Sequence, residues 1–287
     1  MKVHDFYSVR EIMLASMHGK EQAIAPWLKT ELNIDLRVAE NLDTDNFGTF
    51  SGEIERKYSP EETARLKIEQ VFRQNPECRT AISSEGSFFP NPMFALSTLN
   101  EELLLLIDRK TGVDVLVKYY STHTNMARSE VSTFAELMDF AGGMGFPKHG
   151  LILKVNIGDG NQEILKGIRS VEILQQVFQH FIAISETGAV AVETDMRACY
   201  NPTRMENIGL AALGLVSRLK TVCPACHYPG FGITEYRKGL PCESCHLPTR
   251  LLLSHFYECG SCHFNTEEKF PEKKTVAYAG YCYYCNP

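Results

Sequence analysis

The 287 residues are 44% hydrophobic and 22% charged, with 29 Lys and Arg against 35 Asp and Glu and a formal net charge of -6. That balance argues against a chain built mainly to neutralise a phosphate backbone, and the apolar share suffices for one sizeable α/β core with a smaller module beside it. The opening MKVHDFYSVR holds no apolar stretch of signal length and the aliphatic run 103–107 is too short to span a bilayer, so the expected setting is cytoplasmic, without membrane contact.

In chain order, residues 12–16 read as a first strand. After His18-Gly19, a helix is expected over 21–32, with Ile24, Trp27 and Leu28 on one face. Residues 34–38 alternate as a second strand, and 41–57 is a polar loop carrying Asp43, Asp45, Glu53 and Glu55. Ser59-Pro60-Glu61-Glu62 has the form of a capping box with proline at the first helical position, opening a helix that runs to about Gln74. The stretch 84–92, with its glycine and two prolines, is expected to be an irregular loop. Strands over 103–108 and 113–120 flank Arg109-Lys110-Thr111-Gly112 as a hairpin. A helix is expected over 129–140 and a strand over 150–155, followed by a turn or short linker at Gly158-Asp159-Gly160-Asn161. A helix over 171–184, a strand over 189–194 and a helix over 203–220 capped by Asn201 complete the main domain.

Beyond residue 220 stand four Cys-x-x-Cys pairs: Cys223 and Cys226, Cys242 and Cys245, Cys259 and Cys262, Cys282 and Cys285. Each pair sets two thiolates on one side of a tight turn, and two such knuckles complete a tetrahedral four-sulfur site, so two structural Zn2+ sites are expected. Sequential pairing is favoured, because 232–237 and 251–257 look like hairpin strands between knuckles; pairing first with third and second with fourth is the competitor. His227, His246 and His263 follow the second cysteine of a knuckle and are read as supporting or exposed groups, since four sulfurs already saturate each ion.

Within the main domain, Lys20 heads a helix after a strand and turn, where N–H groups and an ammonium can hold phosphate together. Glu62 and Glu85 are candidate oxygen ligands for Mg2+ on a polyphosphate. Glu193 and Asp195, spaced i, i+2 at a strand end and followed by Arg197 and Arg204, read either as an anion or metal-nucleotide site or as an internal ion-pair network.

Two resemblances rest on these motifs. Ser84-Glu85-Gly86-Ser87-Phe88, Glu193-Thr194-Asp195-Met196-Arg197, Asn201-Pro202-Thr203-Arg204-Met205 and the four knuckles ending Tyr284-Cys285-Asn286-Pro287 resemble a bacterial family of uncharacterised function. Leu14-Ala15-Ser16-Met17-His18-Gly19-Lys20, Glu61-Glu62-Thr63-Ala64-Arg65-Leu66-Lys67 and Ser84-Glu85-Gly86 are similar to segments of the inosine triphosphate pyrophosphatase superfamily, as is their order. That likeness implies a Mg2+-dependent hydrolase of nucleoside triphosphates, with Lys20 and Arg204 on phosphate and Glu62 and Glu85 around the metal and attacking water; Glu193 and Asp195, from the strand-end reading, are expected to assist them. The aspartate pair usual in the superfamily is here the single Glu85.

The expected fold class is α/β: a mixed central sheet flanked by helices, as a main domain over 1–220, then two small zinc-ribbon modules over 221–250 and 251–287. The expected function is a Mg2+-dependent nucleotide phosphohydrolase or a nucleotide-binding protein, its ligand a nucleotide or other phosphorylated small molecule. The alternative is a non-enzymatic adaptor that binds a protein or RNA through its ribbons, with Tyr257, Tyr278, Tyr281, Tyr283 and Tyr284 as contact surface.

Overall fold

The structure, a computed structural model, describes residues 5–40, 42, 57–91, 97–158 and 160–287. The strand and helix expected at the start form as β1 (Glu11–Ala15) and α1 (Glu21–Leu32), and β2 (Asp35–Val38) follows. Ser59 caps α2 (Pro60–Gln74): its hydroxyl accepts from the Glu62 N–H while the Glu62 carboxylate accepts from the Ser59 N–H. This reciprocal box satisfies two donors that a helix start leaves open.

The central sheet has the order β2-β1-β3-β4-β5, with β3 at Thr80–Pro90, β4 at Thr98–Asp108 and β5 at Val113–Ser121. β1 runs parallel to both neighbours, Leu14 lying opposite Val38 on one side and Ile82 on the other. Leu103, Leu104, Leu105 and Leu106 are all fully buried, as an interior strand covered on both faces requires. Each such leucine contributes about 1.5–3 kcal/mol of burial. The hairpin turn is fixed by Asp108, whose Oδ1 accepts from the N–H groups of Lys110 and Thr111. The loop expected over 84–92 is corrected, over 84–90, to the outer half of β3: Ser84 and Glu85 are buried, and Lys20 at the head of α1 and Lys67 of α2 replace the hydration a loop would have needed.

A second sheet, order β6-β9-β7-β8, is antiparallel throughout and comprises β6 (Arg128–Val131), β7 (Leu151–Asn156), β8 (Gln162–Ile168) and β9 (Val190–Thr194). Helices α3 (Phe134–Gly143) and α4 (Val171–Ile184) bury Leu137, Leu174, Phe178 and Phe181 against Leu151, Leu153, Val190 and Val192. The helix expected from 129 begins five residues later, because Arg128–Val131 pairs with β9 and Thr133 forms a second capping box with Glu136. The turn or short linker expected at Gly158-Asp159-Gly160-Asn161, of which Asp159 lies outside the described residues, falls between β7 and β8. Helix α5 (Pro202–Lys220) is capped by Asn201, whose Oδ1 accepts from the Arg204 N–H.

The third sheet is an antiparallel meander of β10 (Gly232–Lys238), β11 (Leu252–Glu258) and β12 (Asn265–Lys269). Two compact units are distinguished. One is made of Arg10–Leu105 and Leu116–Gly214; the other gathers the described residues up to Val9, Leu106–Val115 and Leu215–Pro287. No helix among the described residues is long and apolar enough to cross a membrane.

Candidate metal centres and a buried charged cluster

The eight paired cysteines form two groups, Cys223, Cys226, Cys259 and Cys262 in one and Cys242, Cys245, Cys282 and Cys285 in the other. The sequential pairing expected from the sequence is therefore corrected to the crossed one. The reason lies in the strands. β10 stands between the first and second knuckles, and seven extended residues span about 23 Å, so those knuckles lie at opposite ends of it. β11 returns antiparallel, with Glu258 opposite Gly232, and brings the third knuckle back to the first. β12 reverses again, and the fourth knuckle closes on the second.

Sulfur-to-sulfur distances across the sites are 3.7 and 3.6 Å in the first, and 3.8 and 3.6 Å in the second. Tetrahedral zinc with bonds of about 2.3 Å requires about 3.8 Å between sulfurs, so both sites could hold Zn2+. Backbone N–H groups hold the Cys242 thiol down at about 7, those of Cys245 and Ser244 being the main cause. At Cys223 burial opposes the charge, yet the N–H groups of Cys226 and Ala225 prevail and the thiol again lies at about 7. His227, His246 and His263 adopt φ of 60°, 59° and 57° and donate their N–H groups to the first cysteine's carbonyl. They close the knuckle turns, and four sulfurs complete each group without them.

A second constellation lies in the unit containing β1 and β3. After β1 the chain moves to β2 on one side and then crosses to β3 on the other, so the carboxyl ends of β1 and β3 border a topological switch point. In open α/β sheets ligands bind at that place. There Gly19, with φ +69°, turns the chain into α1, whose first residues have no side-chain cap. The N–H groups of Gly19, Lys20 and Glu21 find no acceptor among the described residues.

Lys20 is 5% exposed, and its Nζ donates to the Ser84 carbonyl at 2.6 Å and the Ser84 hydroxyl at 3.3 Å. Burial, then the charge of Arg204, lowers its pKa from 10.5 to about 7, with Lys67 adding to the shift and Glu85 and Glu102 opposing it. Lys67 pairs with Glu85, both nearly buried. Arg204 pairs with Glu102 through Nε at 2.8 Å, and its Nη1 donates to the Met196 carbonyl. The cluster thus gathers three cations and two carboxylates, and among the described residues no carboxylate lies within ion-pair reach of Lys20. On β3, the Ser83 hydroxyl is fully buried and has no hydrogen-bond partner among the described residues. Gly86 is required by the close approach of Arg204: a Cβ there would collide with the guanidinium and lie 2.8 and 2.9 Å from the Glu102 oxygens.

Lys20, Glu85 and Arg204, far apart in sequence, are therefore electrostatic neighbours. The other sequence candidates lie elsewhere. Glu62 is exposed and holds the Ser59 N–H. Glu193 pairs with Lys154 at 2.8 Å and Arg128 at 3.6 Å. Asp195 is buried, takes both Arg197 Nε and Nη2, and accepts from the Gly167 N–H; Arg197 lies over the Tyr200 ring. Asp43, Asp45, Glu53 and Glu55 lie outside the described residues. Each described candidate carboxylate is thus already engaged, and among the described residues none belongs to a group placed to hold a metal, so the fit to Mg2+ is poor.

Sequence reasoning assigned no role to Glu102, Asn100, Asn207 or Lys67. Asn207 donates to the Asn100 Oδ1 and the His123 carbonyl, and Asn100 donates to Glu102, which steadies the arginine. One signal was present: Lys67 shares the helical period of Ala64, Ile68 and Val71, the buried face of α2.

A family model described as a domain of unknown function (DUF6671) matches residues 68–287, well over half of the chain. No curated protein matches it.

Proposed function

The chain belongs to the DUF6671 family, and for it we propose binding of a phosphorylated small molecule of the nucleotide class at the β1–β3 switch point, with the two four-cysteine sites as structural zinc staples. The observation that carries the reading is Lys20: a buried ammonium that, among the described residues, has no carboxylate in reach and heads a helix whose first N–H groups find no acceptor. Helix N-termini with open N–H groups suit phosphate oxygens, and an anion restores to Lys20 the charge stabilisation its neighbours withhold. Arg204 contributes long-range positive charge from a rigid seat.

Hydrolysis of a nucleoside triphosphate is the finer form of this reading, supported by Glu85 lying in the same charged cluster. Among the described residues, Glu62, Glu85, Glu193 and Asp195 do not gather around a common point. The test is calorimetric titration of the zinc-loaded full chain with pyrophosphate and a panel of nucleoside triphosphates, with and without Mg2+, while pyrophosphate release is monitored. Lys20→Met is expected to weaken binding by about tenfold or more, ~1.4 kcal/mol. Failure of every anion to bind at millimolar concentration rules the reading out.

The adaptor reading retains one observation in its favour. Tyr278, Tyr281, Tyr283 and Tyr284 are each more than 60% exposed on the segment that carries the last knuckle. Aromatic rings held by a metal-stapled turn form a contact surface at low entropic cost.

A further inference from the structure

Thr203, the second residue of α5, and His149, in the turn before β7, form a contact that the phosphate-binding reading does not use. His149 Nε2 lies 2.9 Å from the Thr203 hydroxyl, and Nδ1 lies 3.4 Å from the Gly145 carbonyl. A carbonyl only accepts, so the neutral tautomer that satisfies both contacts carries its proton on Nδ1 and accepts the threonine O–H at Nε2. A hydroxyl donating to an imidazole that a third group orients is the arrangement of an activated nucleophile.

Capping does not account for the contact, since Asn201 already caps α5 through the Arg204 N–H. The imidazole is held in place by its own turn. Gly145 has φ +83°, and a Cβ there would lie 2.7 Å from His149 Nδ1; the His149 N–H donates to the Gly145 carbonyl, and the Gly150 N–H to that of Tyr200. Both side chains are half-buried and reachable from solvent. The Thr203 N–H finds no acceptor among the described residues, so the N-terminus of a 19-residue helix presents an open donor at the nucleophile's own backbone. Oxyanion stabilisation uses a donor of this kind.

We propose that Thr203 and His149 are a nucleophile and general base for acyl transfer from carboxylic esters. The Thr203 oxygen bonds to the ester carbonyl carbon while its proton passes to His149 Nε2. The C–O bond to the alcohol then breaks and the alcohol leaves with that proton. Water, deprotonated by the same nitrogen, releases the acid and restores the hydroxyl; no electrons are exchanged with a co-reactant. A neutral carbonyl orients the base in place of a carboxylate, which restricts the site to esters with good leaving groups.

The experiment treats the full chain with a fluorophosphonate probe, in which the Thr203 oxygen displaces fluoride at phosphorus, and maps the adduct by peptide mass spectrometry. Turnover of p-nitrophenyl acetate is followed in parallel. Labelling at Thr203 is expected, retained in Thr203→Ser, absent in Thr203→Ala, and reduced about a hundredfold or more in His149→Ala, the scale of a lost general base. Unchanged circular dichroism and metal content in each variant exclude misfolding as the cause. No adduct at Thr203 in the native chain, or labelling that survives His149→Ala, overturns the proposal. Neither result depends on whether Lys20 binds phosphate.

Discussion

Arg204 and Glu102, 102 residues apart in sequence, form an ion pair at 2.8 Å with side chains 1% and 0% exposed. Breaking a buried pair from one side leaves an uncompensated charge, so Arg204→Met is expected to destabilise the fold by about 3–5 kcal/mol. The double variant Arg204→Met with Glu102→Leu should recover part of that loss, because no charge is then stranded. Urea denaturation of the two singles and the double measures the coupling; additive losses would contradict it.

Lys20 gives the fold a pH dependence of defined sign. Its folded pKa, about 7, lies below the ordinary lysine value of 10.5, so the unfolded chain holds the proton more tightly across that interval. Stability is therefore expected to rise from pH 7 towards 10.5 on account of this group and to be lost again as pH falls through 7. Lys20→Met should be more stable than the native chain at pH 6, with the advantage shrinking by pH 10. Sulfate, whose charge is constant over this range, should bind more weakly above pH 7 in the native chain and show no such trend in Lys20→Met.

The crossed pairing of knuckles makes metal content a topological readout. Cys226→Ser combined with Cys262→Ser damages one site, whereas Cys226→Ser combined with Cys245→Ser damages both. Elemental analysis after gel filtration is expected to show one retained zinc in the first double variant and none in the second. The reverse pattern cannot arise if the observed grouping holds.

Glu62 separates scaffold from chemistry. As the reciprocal partner in the α2 capping box, its carboxylate has a pKa held below the ordinary range by the Ser59 hydroxyl and N–H. Ser59→Ala is expected to cost about 1 kcal/mol of stability. Glu62→Gln should lower the melting temperature slightly while leaving phosphate affinity unchanged, and a large loss of affinity on titration would place Glu62 in the site after all.

Several elements could be read from the chain because their causes are local. Ser59, Pro60 and Glu62 announce α2, Asp108 and Gly112 bound a hairpin turn, and paired cysteines announce their own chemistry. Over 84–90 the glycine and proline that suggest an irregular loop are instead carried within β3, with Pro90 at its last position and Gly86 beneath Arg204. Ser84 is met by Lys20 at the head of α1 and Glu85 by Lys67 of α2, and nothing within a short window reports that. β6 is four residues long and its pairing partner β9 lies some sixty residues further along the chain, so no short window reports it.

The sequence alone determined that eight thiolates would come in four knuckles and that an α/β domain would precede them. It also placed Lys20 at the head of a helix after a strand, since strand, glycine turn and helix are set by neighbouring residues. Which knuckles share an ion was decided by the antiparallel path of β10 and β11, because a seven-residue strand carries two knuckles too far apart for one metal. The tertiary structure likewise decided that Lys20, Lys67, Glu85, Glu102 and Arg204 form one buried cluster. Coulombic interaction depends on distance in space, and the crossover past β1 is what turns large separations along the chain into close neighbours.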